Sequence, residues 1–239
     1  DEYSIIKRKQ EKAMITSKPI ELGGIKGRNS STSLGGFFIL EKSLKEFNFE
    51  KPSVVIQGFG NVGLNIANFL YENNYKIIGV SDSKGAIYSK KGIDIKELIK
   101  IKENKKSVIN YKDSVIISNE ELLELDCDVL IPCALENVIN ENNVEKIKAK
   151  LILELANGPI TNFAEKELIK KNVIIIPDVI ANSGGVLGSY FEWVQNKMSY
   201  YWEDKEFEEK LNKKIINSFE NILDFYKNKK NITLRQASY

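Results

Sequence analysis

Residues 54 to 82 carry the arrangement that most restricts how this chain can fold. A short apolar run, Val54-Val-Ile-Gln57, meets a turn containing Gly58, Gly60 and Gly63. A helical stretch from about Asn61 to Glu72 follows, then a second apolar run from Lys76 to Val80. Further short runs of the same kind lie at Asp128–Pro132, Leu151–Leu155 and Val173–Pro177, with a helical stretch Asn162–Lys170 between the last two. Short β-branched runs separated by helices argue for a parallel sheet buried on both faces. Upstream, Ser31 to Lys45 reads as a helix with a stripe of Leu34, Phe37, Phe38, Leu40 and Leu44. After Pro177 the strands stop, and Gly184 to Lys227 reads as long helices with a kink near Ser199. There is no internal repeat and no low-complexity linker.

Gly58-Phe-Gly-Asn-Val-Gly63 is G-x-G-x-x-G placed directly between a strand and a helix, the context that gives this otherwise weak pattern its meaning. Gly58 permits the tight turn, Gly60 lets the backbone approach a pyrophosphate, and Gly63 allows close helix–strand packing. Free N–H groups and the dipole at the helix start favour phosphate charge. Asp82 ends the next strand, 19 residues after Gly63, where a carboxylate accepts hydrogen bonds from the adenosine ribose hydroxyls. The plainer reading is a glycine turn followed by a capping aspartate; strand, glycines, helix, strand and acid in sequence favour a dinucleotide. An acid at this position points to NAD, because it would repel the 2′-phosphate of NADP. Lys84, two residues on, softens that preference, so NADP stays open. The fold class expected is α/β, Rossmann-like and doubly wound, with a mostly parallel sheet and long C-terminal helices. Residues 51–183 would form the dinucleotide-binding domain, 1–50 an interdomain segment with a glycine-rich loop, and 184–239 a helical segment returning toward another domain.

The bulk numbers exclude several other readings. Over 239 residues, 42% are hydrophobic and 28% charged, so the chain is globular. Basic and acidic residues number 35 and 33, which gives no electrostatic reason to expect nucleic acid or an anionic membrane. No apolar run approaches the ~20 residues needed to span a bilayer. There is no histidine, which removes a Ser-His-Asp triad, a Cys-His pair and a histidine metal site. The two cysteines, Cys127 and Cys133, match no metal spacing and read as reduced thiols beside a buried strand. No metal site is expected.

Three polar turns follow the later strands, where ligands of such sheets bind: Pro132-Cys-Ala-Leu-Glu-Asn137, Glu154-Leu-Ala-Asn-Gly-Pro159 and Asp178-Val-Ile-Ala-Asn-Ser-Gly-Gly185. Singly, each is ordinary turn chemistry. With their neighbours they resemble the C-terminal domain of the glutamate dehydrogenase family. Lys18-Pro-Ile-Glu-Leu-Gly-Gly-Ile-Lys-Gly-Arg28 is similar to that family's K-P-x-x-x-G-G-x-x-G-R, Ala156-Asn-Gly-Pro159 to its A-N-G-P, and Pro132–Asn137 to its P-A-A-L-E-N. Asn182-Ser-Gly-Gly-Val186 and Ser189-Tyr-Phe-Glu-Trp-Val-Gln-Asn196 resemble N-A-G-G-V and S-Y-F-E-W-x-Q-N, a string that leucine and phenylalanine dehydrogenases generally lack.

The resemblance implies residue roles. Thr32 would reach the nicotinamide end of the cofactor, Asn61 and Val62 would join the glycines at the phosphates, Asn157 would lie near the nicotinamide ribose, and Ser189 would bind the substrate carboxylate. It implies oxidative deamination of L-glutamate to 2-oxoglutarate and ammonia with NAD or NADP, a cytoplasmic location, and a homo-oligomer, hexameric in full-length members. The alternatives are another amino-acid dehydrogenase of the family or a non-catalytic nucleotide-binding remnant. Two departures stand out. The family's Gly-Arg after the threonine is Ser33-Leu34 here, which is expected to alter helix packing or a contact beside the cofactor. The family's catalytic lysine and aspartate would lie upstream of Asp1-Glu-Tyr-Ser4, so this chain is expected to hold no catalytic residue and to be inactive alone.

Overall fold

In a computed structural model, which describes residues 2–9, 11–229 and 231–239, the chain builds a seven-stranded sheet flanked by helices. Asp1, at the head of the Asp1–Ser4 stretch, lies outside the described residues. The elements run α1 (Glu2–Lys7), α2 (Ser31–Glu46), β1 (Ser53–Gln57), α3 (Asn61–Glu72), β2 (Lys76–Asp82), β3 (Gly85–Tyr88), α4 (Ile95–Glu103) and β4 (Val115–Ile117). They continue as α5 (Asn119–Leu123), β5 (Val129–Pro132), β6 (Leu151–Leu153), α6 (Asn162–Lys170), β7 (Ile174–Ile176), α7 (Asp178–Ala181), α8 (Gly184–Met198), α9 (Asp204–Asn228) and α10 (Leu234–Ala237).

Across the sheet the order is β4-β3-β2-β1-β5-β6-β7. The five strands from β2 to β7 are parallel, while β3 and β4 pair antiparallel at one edge. This is the α/β, doubly wound architecture. Successive residues of each central strand enter opposite layers: Val54, Ile56, Val129 and Ile131 pack under α2, α3 and α9, while Val55, Leu130 and Ile152 pack with Leu122 of α5 and Leu168 of α6. That two-sided burial is the physical origin of the unbroken apolar runs. Chain order reverses beside β1, with β2 on one flank and β5 on the other. The crevice at such a switch point is where open α/β sheets bind ligands.

Two details depart from expectation. The β3–β4 hairpin was not legible, because its strands are short and Val115 and Ile116 face solvent. The kink near Ser199 is a full break: Ser199 adopts a left-handed conformation (φ 55°) that ends α8, and α9 starts only at Asp204. Trp202 in the connection packs edge-on against Phe191, with ring centroids 5.3 Å apart. α9 then buries Phe207, Leu211, Ile215, Phe219 and Leu223. This spacing of four keeps one face on α2, each side chain contributing roughly 1.5–3 kcal/mol. Ser33-Leu34 is accommodated: the Ser33 hydroxyl donates to the Val62 carbonyl of α3 at 2.9 Å, and Leu34 enters the cluster around Phe207. Among the described residues no helix is long and apolar enough to cross a membrane.

Candidate dinucleotide site

The three glycines after β1 have different physical jobs. Gly58 has φ +93°, and a β-carbon there would meet Ala134. A β-carbon on Gly63 would collide with the Gly58 carbonyl. Both are demanded by the fold itself. Gly60 is different: its φ of −83° suits any residue, and a β-carbon would meet nothing within 4 Å. The empty space in front of it is bounded by the N-terminus of α3, whose first backbone N–H groups lack helical partners. Asn61 opens that helix and donates to the Asn29 carbonyl at 2.9 Å, and Val62 is tied to α2 through Ser33.

Gly58, Gly60 and Asp82 come together around one cavity of 330 Å³, walled also by Phe59, Lys102 and Leu135. Gln57 and Asn119 also line it, and the side-chain oxygen of each is buried without a hydrogen-bond partner among the described residues. A larger cavity of 610 Å³ is built from residues 3–22 and includes no strand-end loop, so size does not select the site.

Asp82 is less free than its position suggested. Its carboxylate receives Lys102 Nζ at 2.9 Å, the Ser107 hydroxyl at 2.8 Å, and the backbone N–H groups of Val108 and Lys84 at 3.0 Å each. Burial alone would raise its pKa, but these donors, Lys102 foremost, hold it below the ordinary carboxylate value. The cation at this acid is thus Lys102; Lys84 contributes its backbone N–H.

The remaining expected residues lie outside that cavity. Asn157 follows β6, and its Oδ1 accepts from Asn182 Nδ2 at 2.7 Å. Thr32 on α2 faces Gly185 on α8, where a β-carbon would lie 2.5 Å from its hydroxyl. Ser189 on α8 accepts two hydrogen bonds from Arg28, Nε at 3.1 Å and Nη2 at 2.9 Å. With both lone pairs engaged, its hydroxyl has only a proton to offer, which suits a carboxylate. The rest of that string acts as a clasp on the glycine-rich segment. Glu192, fully buried, accepts from Ser17 N at 2.9 Å, Lys18 N at 3.2 Å and Lys18 Nζ at 2.7 Å. Gln195 and Asn196 donate to the carbonyls of Gly24 and Gly23 at 3.1 and 2.7 Å.

A family model described as Glutamate/Leucine/Phenylalanine/Valine dehydrogenase matches residues 23–239. The chain belongs to this dehydrogenase family. Among relatives, an NAD-specific glutamate dehydrogenase of Staphylococcus aureus (strain COL) is 44% identical over 241 residues, spanning 100% of this chain and 58% of that protein. An NADP-specific glutamate dehydrogenase of Synechocystis sp. is 42% identical over 250 residues, again 100% of this chain and 58% of the relative. The hetero-hexameric glutamate dehydrogenase of Thermus thermophilus (Leu bound form) superposes with a TM-score of 0.90 at 26% identity, covering 99% of this chain and 56% of that one. The chain therefore spans a little over half the length of these dehydrogenases.

Arg28, Lys102 and Asn182 hold groups at or beside this site, although the sequence alone singles out none of them. Arg28 and Asn182 sat inside recognised strings, so a signal existed. Lys102 had none, since it lies 20 residues beyond Asp82 in the last turn of an amphipathic helix. Cys127 and Cys133 are unpaired, and burial pushes the Cys127 thiol up to about 12.

Proposed function

We propose that this chain is the cofactor-binding part of a glutamate dehydrogenase, catalysing oxidative deamination of L-glutamate to 2-oxoglutarate and ammonia with NAD, NADP being the alternative coenzyme. The observation that carries the reading is the open space before Gly60, at a helix N-terminus and beside Asp82. Gly58, Gly60, Asn61, Val62 and Gly63 would cradle the pyrophosphate, and Asp82 would lie beside the adenosine ribose. Thr32 and Asn157 would contact the nicotinamide half. The nicotinamide, when bound, supplies the hydride-accepting carbon. Ser189 would donate its proton to a substrate carboxylate, its orientation set by Arg28, whose fixed positive charge adds to the attraction. Arg28 cannot be a base, because a guanidinium stays protonated, and there is no histidine to replace it. In a whole enzyme of the relatives' length, the groups that activate water and move protons would come from the part this chain does not span. Residues 1–50, 51–183 and 184–239 would then be the interdomain segment, the dinucleotide domain and the return toward the second domain. A homo-oligomer in the cytoplasm fits this reading.

A second reading, another amino-acid dehydrogenase of the family, is favoured by the breadth of the family description. The test is coenzyme reduction by the chain alone and by the chain joined to the remaining portion of the Staphylococcus aureus relative, with L-glutamate, L-leucine and L-phenylalanine. The expected result is no turnover alone and glutamate-preferring turnover when joined. Preference for leucine or phenylalanine would establish the second reading, and turnover by the chain alone would show the catalytic groups to be misplaced.

A further inference from the structure

At the far end of the sheet from Asp82, Arg235 of α10 gathers three carboxylates from three separate elements. Its Nη2 donates to both oxygens of Glu154 at 2.8 and 2.9 Å, its Nη1 to Asp178 Oδ1 at 3.1 Å, and its Nε to Glu165 Oε2 at 2.8 Å. Glu154 follows β6 and is fully buried; Asp178 follows β7 and opens α7. The same two carboxylates continue the network inward. Glu154 Oε2 accepts the Asp178 N–H at 2.8 Å, and Asp178 Oδ2 accepts the Gly158 N–H at 2.8 Å. Gly158 has φ +53° with open space where a side chain would stand. Its neighbour Asn157 is steadied by Asn182, which follows α7. The loops after β6 and β7 are thus fixed to each other through one guanidinium on a four-residue helix.

A dinucleotide lying across the strand ends, with its adenosine over β2, reaches over β5, β6 and β7 with its other half. We propose that Arg235 is a positioning residue for the nicotinamide half of the cofactor: it holds the Asn157 loop through Glu154 and Asp178 without touching the ligand itself. This rests on the cofactor reading above. Without the guanidinium, the buried Glu154 and the partly buried Asp178 are left as adjacent like charges with their shared counter-ion gone, and such carboxylates separate or take up a proton. Either response slackens the hold of Asp178 on the Gly158 N–H. The phosphate loop, anchored separately through Gly58, Gly63 and Ser81, is untouched.

The test compares two probes of one site in the full chain: NADH, which has the nicotinamide half, and ADP, which lacks both the nicotinamide ring and its ribose. Dissociation constants are measured by fluorescence and calorimetric titration for wild type, Arg235→Met, Arg235→Lys and Glu165→Gln, each with a melting curve. Arg235→Met is expected to weaken NADH by about tenfold, the effect of one or two lost hydrogen bonds, and to leave ADP within about twofold. Arg235→Lys, a point charge that cannot span both carboxylates, falls between. Glu165→Gln loosens α10 on α6 alone and leaves the ratio of the two constants unchanged. A role confined to docking α10 would move both ligands together or neither, and that result overturns the proposal. Should Arg235→Met fail to fold, Asp178→Asn reads the same ratio, and an unchanged ratio there is equally fatal. Failure of the wild type to bind either probe would instead overturn the cofactor reading and this inference with it.

Discussion

Removing one member of the Lys18–Glu192 pair tests whether the long string on α8 is a clasp on the glycine-rich segment. The two side chains are 7% and 0% exposed and meet at 2.7 Å. Breaking a buried pair by deleting one partner costs about 3–5 kcal/mol, because the other charge stays buried without its counter-ion. Lys18→Met leaves Glu192 only the N–H groups of Ser17 and Lys18; Glu192→Gln keeps the shape and an acceptor oxygen while removing the charge. Each single variant is expected to lose about 3–5 kcal/mol in urea unfolding, and its melting temperature to fall by roughly 6–20 °C for a chain of this size. The double variant has no unpaired charge and should lose much less than the sum, with a coupling of about 2–3 kcal/mol. Additive losses within ~0.5 kcal/mol would refute the reasoning, because the two groups would then not be acting on each other.

Two further outcomes concern Asp82. Its donors lower the folded-state pKa, so its stabilisation is fully present above the unfolded value and is lost as pH falls through the folded one. The stability gap between wild type and Asp82→Asn should therefore be widest near neutral pH and close below about pH 4; a gap constant down to acid would deny the charged role. Asp82→Ser should shift the NADP-to-NAD affinity ratio upward. Two unit charges ~4 Å apart at an effective dielectric of about 20 repel by roughly 4 kcal/mol, and Lys102, already paired with Asp82 in wild type, offsets part of that and becomes free to attract a 2′-phosphate. An unchanged ratio, in a variant whose melting curve shows it folded, would place Asp82 away from the ribose.

The central strands were legible because burial on both faces writes an uninterrupted apolar run, as at Val54–Ile56 and Val129–Ile131. The edge hairpin was not, because exposure of Val115 and Ile116 removes any pattern. Gly58, Gly60 and Asp82 could be placed at one site because a strand, a turn and a helix fix their spacing. What the sequence reading could not show was who answers each side chain. Asp82 is met by groups 20 to 26 residues later, Ser189 by Arg28 across 161 residues, and Glu192 by Ser17 across 175. Those pairings are products of the packed fold and leave no local periodicity. The likeness of Ser189–Asn196 to a family string identified the family, but the structure gives its acidic and amide residues a holding role.

The most direct test of the account is NADH titration of the wild type beside Gly60→Val. A side chain at position 60 has room in the protein and needs no unusual backbone, so the melting temperature should stay within the range of a neutral surface change, about 0.5 kcal/mol. The same side chain fills the space through which a pyrophosphate would approach the start of α3. The account predicts saturable NADH binding by wild type and its loss in the variant at unchanged stability. Equal binding by the two proteins, or no binding by the wild type, would contradict it.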